Sequence, residues 1–212
     1  LRERLILQDA MNTFNIQGLV KMVKYVLVFT VSVQFFGALL LSTQFIPEFG
    51  FGKGAFYSLF HSISAFCNAG FDVLGKGNSL ISFNTNVVVI MVLSILIIIG
   101  GLGFTVWSEL YTCKSIRRVS IHSKMVLLIT TGLVVGGTLL MFLFEHNNPQ
   151  TISKMSFINK LTNSFFASVT PRTAGFNSIS TSGMTTAGQF LTIILMFIGG
   201  SPGSTAGGIK TT

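Results

Sequence analysis

The sequence predicts an all-α integral membrane protein built from repeated units of helix, pore loop and helix, and three observations carry that expectation. Half of its 212 residues are hydrophobic, 9% are charged and 21 are Phe, a composition of polytopic membrane proteins rather than of soluble domains. Long uncharged runs alternate with apolar stretches far short of the ~20 residues that span a bilayer. The stretch Asn68-Ala69-Gly70-Phe71-Asp72 returns 105 residues later as Thr173-Ala174-Gly175-Phe176-Asn177, each copy preceded by one of the short apolar stretches. Non-helical backbone at membrane depth is tolerated only where it is buried in protein or lines a water-filled cavity, so two such loops suggest a shared pore.

Residues 1–24 read as a polar, amphipathic lead-in carrying Arg2, Arg4, Lys21 and Lys24, expected in water or on the membrane surface. Residues 25–110 form the first unit. Within it, Tyr25–Ile46 is 22 residues without a charge and predicts one spanning helix, which Pro47, Gly50, Gly52 and Gly54 should end. Ala55–Cys67 is then a short re-entrant helix, Asn68–Asp72 its loop, Val73–Asn84 a polar return and Thr85–Ser108 a second span.

Residues 111–124 are a basic loop in which Lys114, Arg117, Arg118 and Lys124 surround His122. Residues 125–212 repeat the pattern: a span over Met125–Phe144 that ends at Glu145, a short helix over Phe157–Val169, the loop Thr173–Asn177, and a span beginning near Ala187. That last span is interrupted. Its apolar run Gln189–Ile198 gives way to Gly199-Gly200-Ser201-Pro202-Gly203-Ser204-Thr205-Ala206-Gly207-Gly208, where five glycines and a proline in ten residues should break the helix inside the membrane. Broken membrane helices usually face a cavity or an ion path. The chain opens without an initiator Met and stops in what reads as mid-element, so it is expected to be an internal fragment.

The net charge of +8 does not imply nucleic acid, because the Lys and Arg residues lie in short loops between apolar spans. If re-entrant segments leave and return on one side, nine of them (Arg2, Arg4, Lys21, Lys24, Lys114, Arg117, Arg118, Lys124, Lys210) share a side and five (Lys53, Lys76, Lys154, Lys160, Arg172) share the other. The nine-charge side is expected to be cytoplasmic, with both loops entering from outside. The basic loop should meet lipid headgroups, membrane lipid being the first partner of the chain. Two cysteines, Cys67 and Cys113, are too few for a disulfide framework, and the sequence holds no spaced His, Cys and carboxylate set for catalysis. The run Gly203 to Thr211 imitates a phosphate-binding P-loop, yet Ile209 stands between Gly208 and Lys210 where that motif needs the lysine directly after its glycine. An enzyme is not expected.

The repeated loop has a physical reading as a cation filter. A short helix aiming its C-terminal end at the pore centre presents partial negative charge, which favours cations. The residues after it must turn carbonyls inward, and Gly70 and Gly175 can adopt backbone conformations closed to other residues. Ala69 and Ala174 are small, while Phe71 and Phe176 are large enough to wedge the loop against neighbouring helices. Arg172, a cation beside such a filter, is expected to pair away from the ion path, with Glu145 or a carboxylate beyond this chain. His61 on the short helix is expected to be a packing residue.

Phe66 to Asp72, Thr170 to Asn177 and Gly199 through Lys210, in this order and spacing, resemble the second and third pore segments and the intramembrane gate loop of the Ktr/Trk/HKT potassium transporters, and Gly100-Gly101-Leu102-Gly103-Phe104, near the inner end of the second span, also resembles that family. The resemblance is nearest to the bacterial Ktr membrane subunit. It implies four helix, pore-loop, helix repeats around a pseudo-fourfold axis, of which this chain holds the second and most of the third. It further implies a potassium filter at Asn68, Ala69, Gly70, Phe71, Thr173, Ala174, Gly175 and Phe176, with K+ as the transported ion and no cofactor in the chain. Glycine at both filter positions goes with potassium in the family, and serine there with sodium in some plant members. A sodium-permeable relative is the alternative. The family's gate loop falls on Gly199 through Gly208, and its partners are a second pore subunit in a homodimer and a cytosolic nucleotide-binding ring.

Overall fold

The computed structural model describes residues 16–75, 79–113 and 119–210. Arg2, Arg4, Lys76, Lys114, Arg117 and Arg118 lie outside them. Among the described residues the fold is all-helical, with one isolated parallel β-bridge between Ile198 and Ile209. The helices are α1 (Ile16–Phe49), α2 (Phe51–Phe66), α3 (Val87–Leu102), α4 (Phe104–Thr112), α5 (Ile121–Glu145), α6 (Phe157–Val169) and α7 (Thr186–Phe197). The chain divides into two compact units, Leu1–Val33 and Gln34–Thr212, with the division inside α1. In the first unit Val20, Leu27, Val28 and Val31 are exposed and Tyr25 stacks on Phe29 with ring centres 6.0 Å apart.

α1 is longer than the uncharged run. Helix begins by Ile16, so Lys21 and Lys24 stand on it, and it passes through Pro47 to end at Phe49. A proline in the last turn removes only one intrahelical donor, and Gly50, at φ 78, then supplies the reversal. α2 starts at Phe51, four residues before Ala55, and therefore contains Gly52 and Gly54. Gly54 is needed there, since a Cβ on it would lie 2.6 Å from the Ile46 Cα. Gly37 does the same for the second unit's core, where a Cβ would meet Ser62 Oγ at 2.6 Å and Leu96 Cδ1 at 2.8 Å. Ser62 Oγ donates to the Gln34 carbonyl at 2.7 Å, which satisfies a buried hydroxyl at the same crossing.

The second span is where the expectation fails. Thr85–Ser108 is not one rod: α3 stops at Leu102, Gly103 adopts φ 91, and α4 leaves at 91° to α3. A bend this sharp exposes the last carbonyls of α3, which in a membrane protein must find donors. They do. The Trp107 indole N–H donates to Ile99 O at 2.9 Å, Thr205 N–H to Gly100 O at 3.2 Å and Ser201 N–H to Gly101 O at 3.0 Å.

Helix starts in the second half follow from capping hydroxyls. Ser120, Ser156 and Thr185 accept from the backbone N–H of Ser123, Asn159 and Gly188, opening α5, α6 and α7. α6 spans Phe157–Val169 as predicted. It lies against α5 at Gly137, where a Cβ would collide with Ser168 Oγ, and Ser168 donates to Val134 O at 3.2 Å. α1 from Met22 to Phe49 and α5 are each long and apolar enough to cross a membrane, and α3 with α4 form a bent pair that passes the same test together.

Candidate functional site

Each short helix ends in a turn that only a special backbone can make. After α2, Asn68 takes φ 51 and Gly70 φ 72; after α6, Thr173 takes φ 69 and Gly175 φ 86. The same two positions of the repeat are thus left-handed in both copies. Asparagine tolerates this conformation, but for β-branched Thr173 it is strained and must be held by its surroundings. In both copies the Phe carbonyl is tethered by a hydroxyl from the end of the short helix: Ser64 Oγ donates to Phe71 O at 2.8 Å and Thr170 Oγ1 to Phe176 O at 2.6 Å.

The two loops meet. A Cβ on Gly70 would collide with the Ala174 carbonyl, and one on Gly175 would lie 3.8 Å from the Gly70 Cα. Asn177 N–H donates to Ser79 Oγ at 3.1 Å and its carbonyl accepts from Leu80 N–H at 2.9 Å, joining the second loop to the return of the first. A cavity of about 890 Å³ opens beside the second loop, lined among others by Ala69, Thr173, Ala174, Gly175 and Phe176. The two Phe residues differ: Phe176 is fully buried, whereas Phe71 is 70% exposed and does not wedge its loop against a helix.

The glycine-rich stretch after α7 folds back under both loops. Its ends are closed by Gly199 N–H to Ile209 O at 3.0 Å and Gly200 N–H to Gly207 O at 3.2 Å. Ser204 Oγ donates to Ser201 O at 2.6 Å and Lys210 Nζ to Ala206 O at 2.7 Å. Gly203, at φ 68, offers its carbonyl to Phe104 N–H at 3.0 Å, and a Cβ on Gly103 would lie 2.7 Å from Pro202 O. Thr205 Oγ1 donates to Phe66 O at 2.8 Å and accepts from Asn68 Nδ2 at 2.9 Å, while Gly207 N–H donates to Thr173 Oγ1 at 3.1 Å.

A family model described as TrkH, cation transport protein, matches residues 1–212. The chain belongs to the TrkH cation transport family. Its members are ion transporters rather than enzymes, and the apolar helices are those of a multi-pass membrane protein. The potassium/sodium uptake protein NtpJ of Enterococcus hirae is 49% identical over 209 residues, 99% of this chain and 46% of that protein. The Ktr system potassium uptake protein B of Bacillus subtilis is 40% identical over 212 residues, 100% of this chain and 47% of that protein. The chain spans about half the length of these curated relatives. In fold it is similar to the crystal structure of the potassium transporter TrkH from Vibrio parahaemolyticus, with a TM-score of 0.71 over 91% of this chain and 39% of that one at 19% identity.

Within this TrkH-family chain Arg172 does not pair with Glu145. Its guanidinium is buried, its Nη2 lies 3.5 Å from Thr130 Oγ1, and its Nε has no partner among the described residues. Glu145 is buried too and accepts instead from Thr185 N–H (2.8 Å), Thr185 Oγ1 (2.7 Å), Thr151 Oγ1 (2.7 Å) and Asn148 Nδ2 (2.8 Å). His61 is a packing residue, buried among Phe45, Phe60 and Phe176 with Nδ1 2.7 Å from Tyr57 O. Sequence reasoning missed the tethering hydroxyls of Ser64 and Thr170, and it placed Thr205 in the glycine-rich stretch without its bonds to Phe66 and Asn68. The signal for the first two was a hydroxyl residue in the closing turn of each short apolar helix.

Proposed function

We propose that this chain supplies two of the filter loops and the gate loop of a potassium uptake pore. The observation that carries the reading is the meeting of two like loops at Gly70 and Gly175, each after a short helix and each with its Phe carbonyl tied by a hydroxyl. Two helix C-terminal ends directed at one place, with a glycine backbone between them, suit a desolvated cation and repel an anion. Asn68, Ala69, Gly70 and Phe71 with Thr173, Ala174, Gly175 and Phe176 form the filter, and Gly199 through Gly208 form the barrier beneath it. Membership in the TrkH family and two relatives named for potassium uptake support K+ as the ion. The complete pore requires the rest of the parent protein. It works as a homodimer in the cell membrane under a cytosolic nucleotide-binding ring.

Potassium uptake by the full-length parent protein, in cells lacking their own uptake systems, tests the reading, with Gly70→Ser and Gly175→Ser at matched membrane expression. A Cβ at either position meets a positive φ, and at Gly70 it also meets the Ala174 carbonyl, so uptake should fall about ten-fold, the effect of ~1.4 kcal/mol at the barrier, or turn toward sodium. Variants that take up and discriminate ions like the wild type would leave the glycines as turn residues only. A second reading, permeation of sodium as well, is favoured by the relative named for potassium and sodium uptake. Sodium uptake by the wild type at equal external concentrations decides between the two.

A further inference from the structure

Asn68 and Thr173 occupy the same position of the repeated loop, and both do more than turn the chain. Each holds a left-handed backbone, at φ 51 and 69, and each directs its side chain away from its own loop onto the glycine-rich stretch. Asn68 Nδ2 donates to Thr205 Oγ1 at 2.9 Å; Gly207 N–H donates to Thr173 Oγ1 at 3.1 Å. The Thr173 methyl lies against the same segment, 3.4 Å from where a Cβ on Gly208 would stand. Thr205 then closes the joint by donating to Phe66 O, the last residue of α2. Strain at Thr173 is what an enforced side-chain placement would leave in the backbone.

We propose that Asn68 and Thr173 are positioning residues that clasp the gate loop to the filter, so that the loop leaves the ion path only when these two hydrogen bonds break together. The inference rests on the pore reading above. The gate is then coupled to the filter from two repeats at once: a filter whose loops are held apart by ions and one whose loops have closed offer the clasp different geometry, and the gate loop responds to that difference. Selectivity itself belongs to the backbone carbonyls, which the clasp does not use.

The test is ion flux through the full-length protein reconstituted in liposomes, comparing Thr205→Val, Thr205→Ser and Thr173→Val with wild type. Thr205→Val keeps the shape and removes the hydroxyl, and with it both the bond from Asn68 and the bond to Phe66 O, so potassium flux should rise at least about five-fold, the shift that loss of one ordinary hydrogen bond produces in a two-state equilibrium, with the potassium-to-sodium ratio unchanged. Thr205→Ser keeps the hydroxyl and should match wild type. Thr173→Val should raise flux in the same direction, and it carries the test by itself if Thr205→Val does not yield folded protein. Wild-type flux in both valine variants would overturn the clasp, as would a Thr205→Ser variant as altered as Thr205→Val. A changed ion ratio with unchanged flux would also overturn it, placing the side chains in the filter alone. Failure of the pore reading is a separate result, namely wild-type liposomes that pass no potassium.

Discussion

Single atoms decide several positions in this molecule, and adjacent glycines show it. Gly136 and Gly137 both lie in α5, but a Cβ on Gly136 meets open space, whereas one on Gly137 collides with Ser168 Oγ. Gly136→Ala should therefore stabilise the protein by about 1 kcal/mol, the helix preference of alanine over glycine. Gly137→Ala should destabilise it by about 1–3 kcal/mol through overpacking between α5 and α6. Melting of the detergent-purified protein reads both, and equal effects would remove the distinction. Glu145 reads in the sequence as the polar end of a span and as one candidate partner of Arg172. Its true role, a buried carboxylate with four donors from three residues, depends on Thr185 arriving from 40 residues away, and no local pattern encodes that meeting.

Among the elements, α6 was fully legible and α3 with α4 was not. Ser156 caps a 13-residue amphipathic stretch, carrying Lys160, that is too short to cross, and nothing competes with that reading. Thr85–Ser108, in contrast, is uncharged throughout, so composition favours one straight span. What bends it is the supply of donors from the glycine-rich stretch, which lets the α3 carbonyls at Gly100 and Gly101 leave the helix ladder without remaining unpaired. Gly103 is the hinge of that arrangement. Gly103→Ala forces a Cβ into φ 91 and within 2.7 Å of Pro202 O, so it should cost at least about 1 kcal/mol. Gly101→Ala, whose Cβ meets nothing within 4 Å, is the matched control and should melt no lower than wild type. A lower melting temperature for Gly101→Ala than for Gly103→Ala would contradict the role given to the bend.

For the molecule as a whole, the outer faces carry large apolar side chains: Leu128, Val135, Leu139 and Leu143 form an exposed stripe along α5, and Phe190, Ile193 and Phe197 are exposed on α7. The class of the protein was legible from this excess of apolar residues over what a core can take, as was the repeat that places two loops together. What the sequence could not show is which apolar residues face inward, because the spans are apolar all round. Leu128, 74% exposed, gives the test. Leu128→Arg should lower membrane insertion by up to about 2.5 kcal/mol, the lower figure for a helix centre, whereas Leu128→Ala should leave melting within about 0.5 kcal/mol if lipid covers the stripe. A large loss with alanine would mean that protein covers it instead.

The bend between α3 and α4 also has a spectroscopic consequence. Trp107, the single tryptophan of the chain, donates its indole N–H to a carbonyl released by the bend, that of Ile99, next to the Gly100 and Gly101 carbonyls held by the glycine-rich stretch. Indole emission colour and quenching depend on that bond and on nearby water. Nature has thus placed an intrinsic fluorophore on the joint, and motion there can be followed in this chain by light without attaching a label.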